Sequence, residues 1–113
     1  VRHPLNDRLQ ACFKAVLLDE EGAEPSELFQ CSVKADKAAG IQYFSLPEEL
    51  CARAFEAFVQ DADLKNAFLV SGTRESDDAK LGLYPLGEQR ERVNRAFHSY
   101  YSALGHALRA AGN

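Results

Sequence analysis

Methionine and tryptophan are missing from the 113 residues, so a core has to be built from Leu, Val, Ala and Phe. Cysteine is scarce. Cys12, Cys31 and Cys51 are odd in number and form no C-x-x-C pair, which removes zinc knuckles and thioredoxin-type redox pairs and leaves free, mostly buried thiols in a reducing compartment. No run approaches the roughly 20 apolar residues of a membrane span. Val1-Arg2-His3-Pro4 lacks the apolar core of a secretory leader, and Val1 in place of an initiator Met reads as a trimmed or unusual start. A cytoplasmic location with no membrane contact is expected. Positive charge is also short. The net charge is −4, whereas a nucleic-acid binder carries a basic excess to neutralise phosphates; nucleic acid is therefore an unlikely partner.

Charge is unevenly spread. Nine Lys/Arg face fifteen Asp/Glu through residue 86, but four Arg face two Glu from residue 87 onward. A locally basic C-terminal segment thus sits on an acidic body. Composition is otherwise that of a globular protein, with 46% hydrophobic and 27% charged residues, and the length suits a single domain over residues 1–113.

Hydrophobic spacing divides the chain. Asn6 or Asp7 can cap a helix running to about Leu18, with Leu9, Cys12, Phe13, Val16 and Leu17 on one stripe. Gly22 and Pro25 stop it. Residues 19–27 hold five acids and no base, which suits a solvated loop or a docking surface for a basic partner. Beyond it, Phe29, Cys31 and Val33 alternate with polar residues, as do Ile41 and Tyr43, and a hairpin over residues 27–46 is expected. The competing reading is a helix from Ser26 to Ala39, favoured by the propensity of Lys34–Ala39.

Ser45 and Glu48 stand at capping-box spacing before a second helix, whose apolar stripe is Leu50, Ala54, Phe55, Phe58 and Val59. Ala67–Val70 and Leu81–Tyr84, flanking a polar loop over Thr73–Lys80, read as a second hairpin. A long helix over about residues 88–111 closes the chain, with Val93, Phe97, Tyr100, Tyr101, Leu104 and Leu108 at helical spacing. The expected fold is therefore α+β: a small antiparallel sheet of two hairpins packed with three helices, in the order helix–hairpin–helix–hairpin–helix. The alternative is an all-α bundle. That element order resembles two groups of dimeric adaptors, the type III secretion chaperones and the roadblock-type scaffold domains, and the resemblance implies an adaptor role.

Catalytic patterns are lacking. No G-x-S-x-G, P-loop, G-x-G-x-x-G or H-E-x-x-H occurs. Asp61–Asn66 opens like a calcium loop but has Lys65 at the fifth position and Gly72 where a bidentate Glu is needed. His98 and His106 lie two turns apart on the last helix, about 12 Å along its axis, too far to chelate one ion together. A Cys–His nucleophilic pair has no proposing signal. No metal, cofactor or catalytic residue is expected.

The last helix carries the remaining signals. Arg90, Arg92 and Arg95 near its start oppose its dipole, so they call for compensating acids, Glu88 and Glu91 being nearest, or else hold an anion. Tyr100 and Tyr101 diverge by about 100°, so one can face the core and the other a partner, beside small residues that admit a second helix. The expected function is a non-enzymatic protein–protein interaction module, adaptor or chaperone-like, that self-associates as a homodimer and binds another protein through Arg92, Arg95, His98, Tyr100, Tyr101, Leu104 and Leu108. The alternative is a small-ligand or anion-binding regulatory domain using the Arg/His/Tyr face of the same helix.

Overall fold

The computed structural model describes residues 4–62 and 77–112. They form five helices: α1 (Pro4–Leu17), α2 (Glu27–Ala39), α3 (Pro47–Ala62), a single turn α4 (Asp77–Lys80) and α5 (Gly87–Gly112). Among the described residues no strand occurs, and the one sheet-like contact is an isolated bridge between Leu18 and Pro25. The α+β expectation is thereby overturned in favour of a helical fold, and the resemblance to the two adaptor groups, which rested on the element order, falls with it.

The first expected hairpin is a helix for identifiable reasons. Ser26 accepts the Phe29 N–H at 3.2 Å and donates its hydroxyl to the Val16 carbonyl at 2.7 Å, so it caps α2 and ties its start to the end of α1. Gly40, at φ 68°, closes the other end by donating its N–H to the carbonyls of Asp36 and Lys37. The buried positions between are Leu28, Ser32 and Asp36, one every four residues. Two of these three are polar, which hid the helical stripe and left the chance alternation of Phe29, Cys31 and Val33 to suggest a strand.

The second hairpin fails at its later half. Leu81-Gly82-Leu83-Tyr84 is a turn after α4, with Gly82 at φ 79°. A β-carbon on Gly82 would lie 2.6 Å from the Cys31 Sγ, so this turn is pressed directly onto α2. Residues 77–80, expected as loop, form α4, while Ala67–Val70 and most of the calcium-like stretch lie outside the described residues. Ser45 does not act as the expected cap of α3, because its N–H and hydroxyl both donate to Asp36, at 2.9 and 2.6 Å.

Two helices run antiparallel to α5. Gln89 reaches Ala15 and Val16 while Arg8 reaches Ser99, which sets α1 against α5 in the opposite sense. Arg90 meets Asp61 while Phe55 meets Tyr101, which does the same for α3. Cys12 and Val16 from α1, Leu28 from α2, Leu50 and Ala54 from α3, and Val93 and Phe97 from α5 make the core. At about 1.5 Å per residue α5 spans about 39 Å, long enough to be the common wall of both partners.

Candidate functional site

Aromatic side chains gather where α3 meets α5. The Phe58 and Tyr101 rings stack with centroids 6.0 Å apart and planes within 13°. Phe55 lies 5.7 Å from Tyr101 and 6.2 Å from Phe97, and Phe97 meets Phe58 edge-on at 5.5 Å. Phe97 is buried, but Phe55, Val59 and Tyr101 stay 41%, 41% and 42% exposed. Offset and edge-on aromatic packing holds such side chains in place, so these exposed surfaces are held by packing. Ala52, Phe55, Val59 and Ala62 are all exposed along α3, at the three- and four-residue spacing of a helix-packing seam. Burial raises the pKa of the Tyr101 hydroxyl.

The seven residues singled out from the sequence do not share one surface. Arg92 and Tyr101 are nine positions apart, hence about 180° around the helix. Arg92 pairs with Glu88 one turn earlier and faces the Leu18 carbonyl. With the exposed Arg95 it borders a shallow groove shared with the acidic turn Asp19–Glu21. The Asp19 carboxyl is held below its ordinary value, first by the Ala23 N–H and also by the Arg92 charge. Arg92 is thus matched by acids of the same chain. Tyr100 is half-buried against the core, and His98 is exposed midway between Arg95 and Tyr101; on the other side Leu104 is half-buried, and Tyr101 and Leu108 are exposed, Leu108 by 63%. Phe55 and Val59 belong with them. Grouping Leu50, Ala54, Phe55, Phe58 and Val59 as one apolar stripe did not separate buried from exposed members, although five apolar residues spread over adjacent positions make a band wider than one face can bury.

Two buried arginines hold the scaffold behind this surface. Arg90 makes a bidentate pair with Asp61, at 2.7 and 2.9 Å, and its third nitrogen donates to the Pro85 carbonyl at 3.1 Å. Asn94 adds a donor to Asp61 at 2.6 Å. This clamp supplies the compensating acid that Arg90 called for, from α3 and not from Glu88 or Glu91. Arg53 donates to the Leu83 carbonyl at 2.6 Å, the Phe44 carbonyl at 2.7 Å and the Ser32 hydroxyl at 2.9 Å, and its guanidinium carbon lies 5.3 Å from the Phe44 ring centre. Burial lowers its pKa, and the charges of Glu49, the tyrosines and Asp36 oppose that. Asp36 in turn accepts the N–H groups of Phe44 and Ser45. Burial alone would raise its carboxyl pKa, but the Ser45 hydroxyl and those N–H groups outweigh it and hold the group below the usual carboxylate range.

Among the described residues, no cluster of three or more His, Cys, Asp or Glu is arranged to hold a metal ion, and no helix is long and apolar enough to cross a membrane. The three cysteines are unpaired, and burial, with the nearby Cys51, pushes the Cys12 thiol up to about 11.

Residues 35–108 match the family described as large polyvalent protein-associated domain 1. No curated protein and no solved structure matches the chain. The matched stretch runs from the second half of α2 almost to the end of α5 and holds Asp36, Arg53, Asp61, Arg90 and the aromatic face. With more than half of its residues in that match, the chain belongs to the large polyvalent protein-associated domain 1 family.

Proposed function

We propose that this domain is a non-enzymatic, cytoplasmic protein–protein interaction module of the adaptor type, which self-associates and binds a protein partner through the α3/α5 face. One observation carries the reading: Phe55, Val59 and Tyr101 are each about two-fifths exposed while fixed on two adjacent helices. Contiguous apolar surface on a rigid support marks interaction sites more often than it marks ordinary exterior.

Charge favours a second copy as one occupant. The exposed charges of α3 are acidic, Glu48 and Glu56, whereas α5 from His98 onward carries His98, His106 and Arg109 and no acid. A two-fold contact that crosses α3 of one copy over α5 of the other brings acid against base on both sides of the apolar seam. The family's description, a domain associated with large polyvalent proteins, fits a module that works beside or within a larger chain.

Sedimentation equilibrium tests this. The wild type is expected to dimerise, and Val59→Lys, on an exposed position, is expected to give a folded monomer with its melting temperature little changed. A wild type that stays monomeric up to about 0.1 mM, a dissociation constant worth only about 5 kcal/mol, overturns self-association. A Val59→Lys protein that dimerises like the wild type removes this face from it.

A further inference from the structure

A second surface, on the far side of α2, has the makings of a small-ligand site. A groove of about 650 Å³ runs between α2 and the segment from α4 to Leu83, within the range of small-molecule pockets. Its floor is Ala35, Ala38, Phe44 and Leu83. The alanines create the space, since larger side chains at the same positions would fill it. The walls are fixed. Arg53 holds the carbonyls of Phe44 and Leu83 and stacks on the Phe44 ring, Asp36 holds the Phe44 N–H, and Gly82 is pressed on Cys31 too tightly for any side chain.

The rim is charged in an unusual sense for so acidic a body. Lys34 and Lys80 stand on it, against the single carboxylate of Asp78. Neither lysine forms an ion pair among the described residues. Two uncommitted ammonium groups over an apolar floor select an apolar molecule with an anionic head, because the tail leaves water for the alanine trough while the head stays in reach of both charges.

We propose that this groove binds a small anionic amphiphile, a carboxylate-headed molecule with an aliphatic or aromatic body. The inference stands apart from the α3/α5 interaction face, and neither falls with the other. The probes are decanoate, decanol and decylamine, with binding followed by two-dimensional NMR on the full chain below micelle-forming concentrations. Decanoate is expected to bind with shifts centred on Ala35, Ala38 and Leu83, about tenfold more tightly than decanol, and decylamine more weakly still. Lys34→Gln with Lys80→Gln is expected to bring decanoate down to the level of decanol. Ala38→Phe, at an exposed position that leaves the fold intact by circular dichroism, is expected to abolish binding of both. No decanoate binding, unchanged binding to Ala38→Phe, or equal affinity for all three probes overturns the proposal. Shifts centred on Phe55 and Tyr101 place any binding on the other face and overturn it equally.

Discussion

Arg90 and Arg53 are buried to a similar degree, 3% and 8% exposed, yet they are satisfied in opposite ways. Arg90 meets a carboxylate in bidentate geometry and so joins one helix to another, α5 to α3. Arg53 meets no carboxylate. Its charge is answered by two carbonyls, a hydroxyl and a ring face, its Nη1 has no partner among the described residues, and what it joins are the two irregular segments around Phe44 and Leu83. The Arg90–Asp61 pair joins two positions that regular structure already fixes. A guanidinium fork needs only carbonyls at the right spacing, which irregular backbone supplies because its carbonyls are not used by a helix. The first region is a joint between rods, and the second is a knot that shapes loops, including the wall of the α2 groove.

The difference can be broken at its strongest point first. Asp61→Ala is expected to cost about 3–5 kcal/mol in urea unfolding, because a buried cation loses its carboxylate. The double change Asp61→Leu with Arg90→Met is expected to cost much less, since no charge then remains inside. Equal losses for the single and the double variant would show that packing, not charge, holds this joint.

Arg53→Ala comes next, at about 2–4 kcal/mol, because it removes the cation along with its bonds and leaves mainly two buried carbonyls unsatisfied. Arg53→Lys is expected to recover little of this, as a single ammonium cannot span acceptors arranged for a planar fork. Full rescue by Lys would make the charge, and not the fork, the active feature.

The smallest effect concerns Asp36, the acid that shares the loop with Arg53. Its folded pKa lies below the ordinary 3.8, so its contribution is complete above the unfolded value and fades as pH falls through the folded one. The stability gap between wild type and Asp36→Asn is therefore expected to be constant above about pH 5 and to close on further acidification. A gap that persists into strong acid would mean that shape, not ionisation, is what Asn fails to supply.

Legibility in the sequence followed the chemistry of each buried position. Where the core stripe is apolar, as at Cys12 and Val16 of α1, Leu50 and Ala54 of α3, or Val93 and Phe97 of α5, spacing located the helix. Where the buried positions are Ser32 and Asp36, spacing misled, and only the helical propensity of Lys34–Ala39 and Ser26 after Pro25 pointed to α2. For the candidate site, the sequence offered one of Tyr100 and Tyr101 as an exposed position, with Leu104 or Leu108 beside it, and the fold exposes Tyr101 and Leu108. Their neighbours Phe55 and Val59 were not legible as exposed, because a pattern shows which residues are apolar and not which of them the fold has room to cover. Arg92 was grouped with Tyr101 by nearness along the chain, although counting turns of the helix already put them on opposite sides.

Local pattern was enough for the three long apolar-striped helices, the stops at Gly22 and Pro25, the acidic body with its basic C-terminal stretch, and the lack of any metal-ligand or nucleophile pattern. These are local properties, set by backbone freedom, by charge count and by the 3.6-residue repeat. Tertiary structure alone decided that Asp61 answers Arg90, that Asp36 and Arg53 share one loop, that half of an aromatic cluster stays in water, and that small side chains on α2 leave a groove under two lysines. Each of these depends on which distant segments meet, and a buried polar side chain carries no mark in the sequence of the partner that will satisfy it.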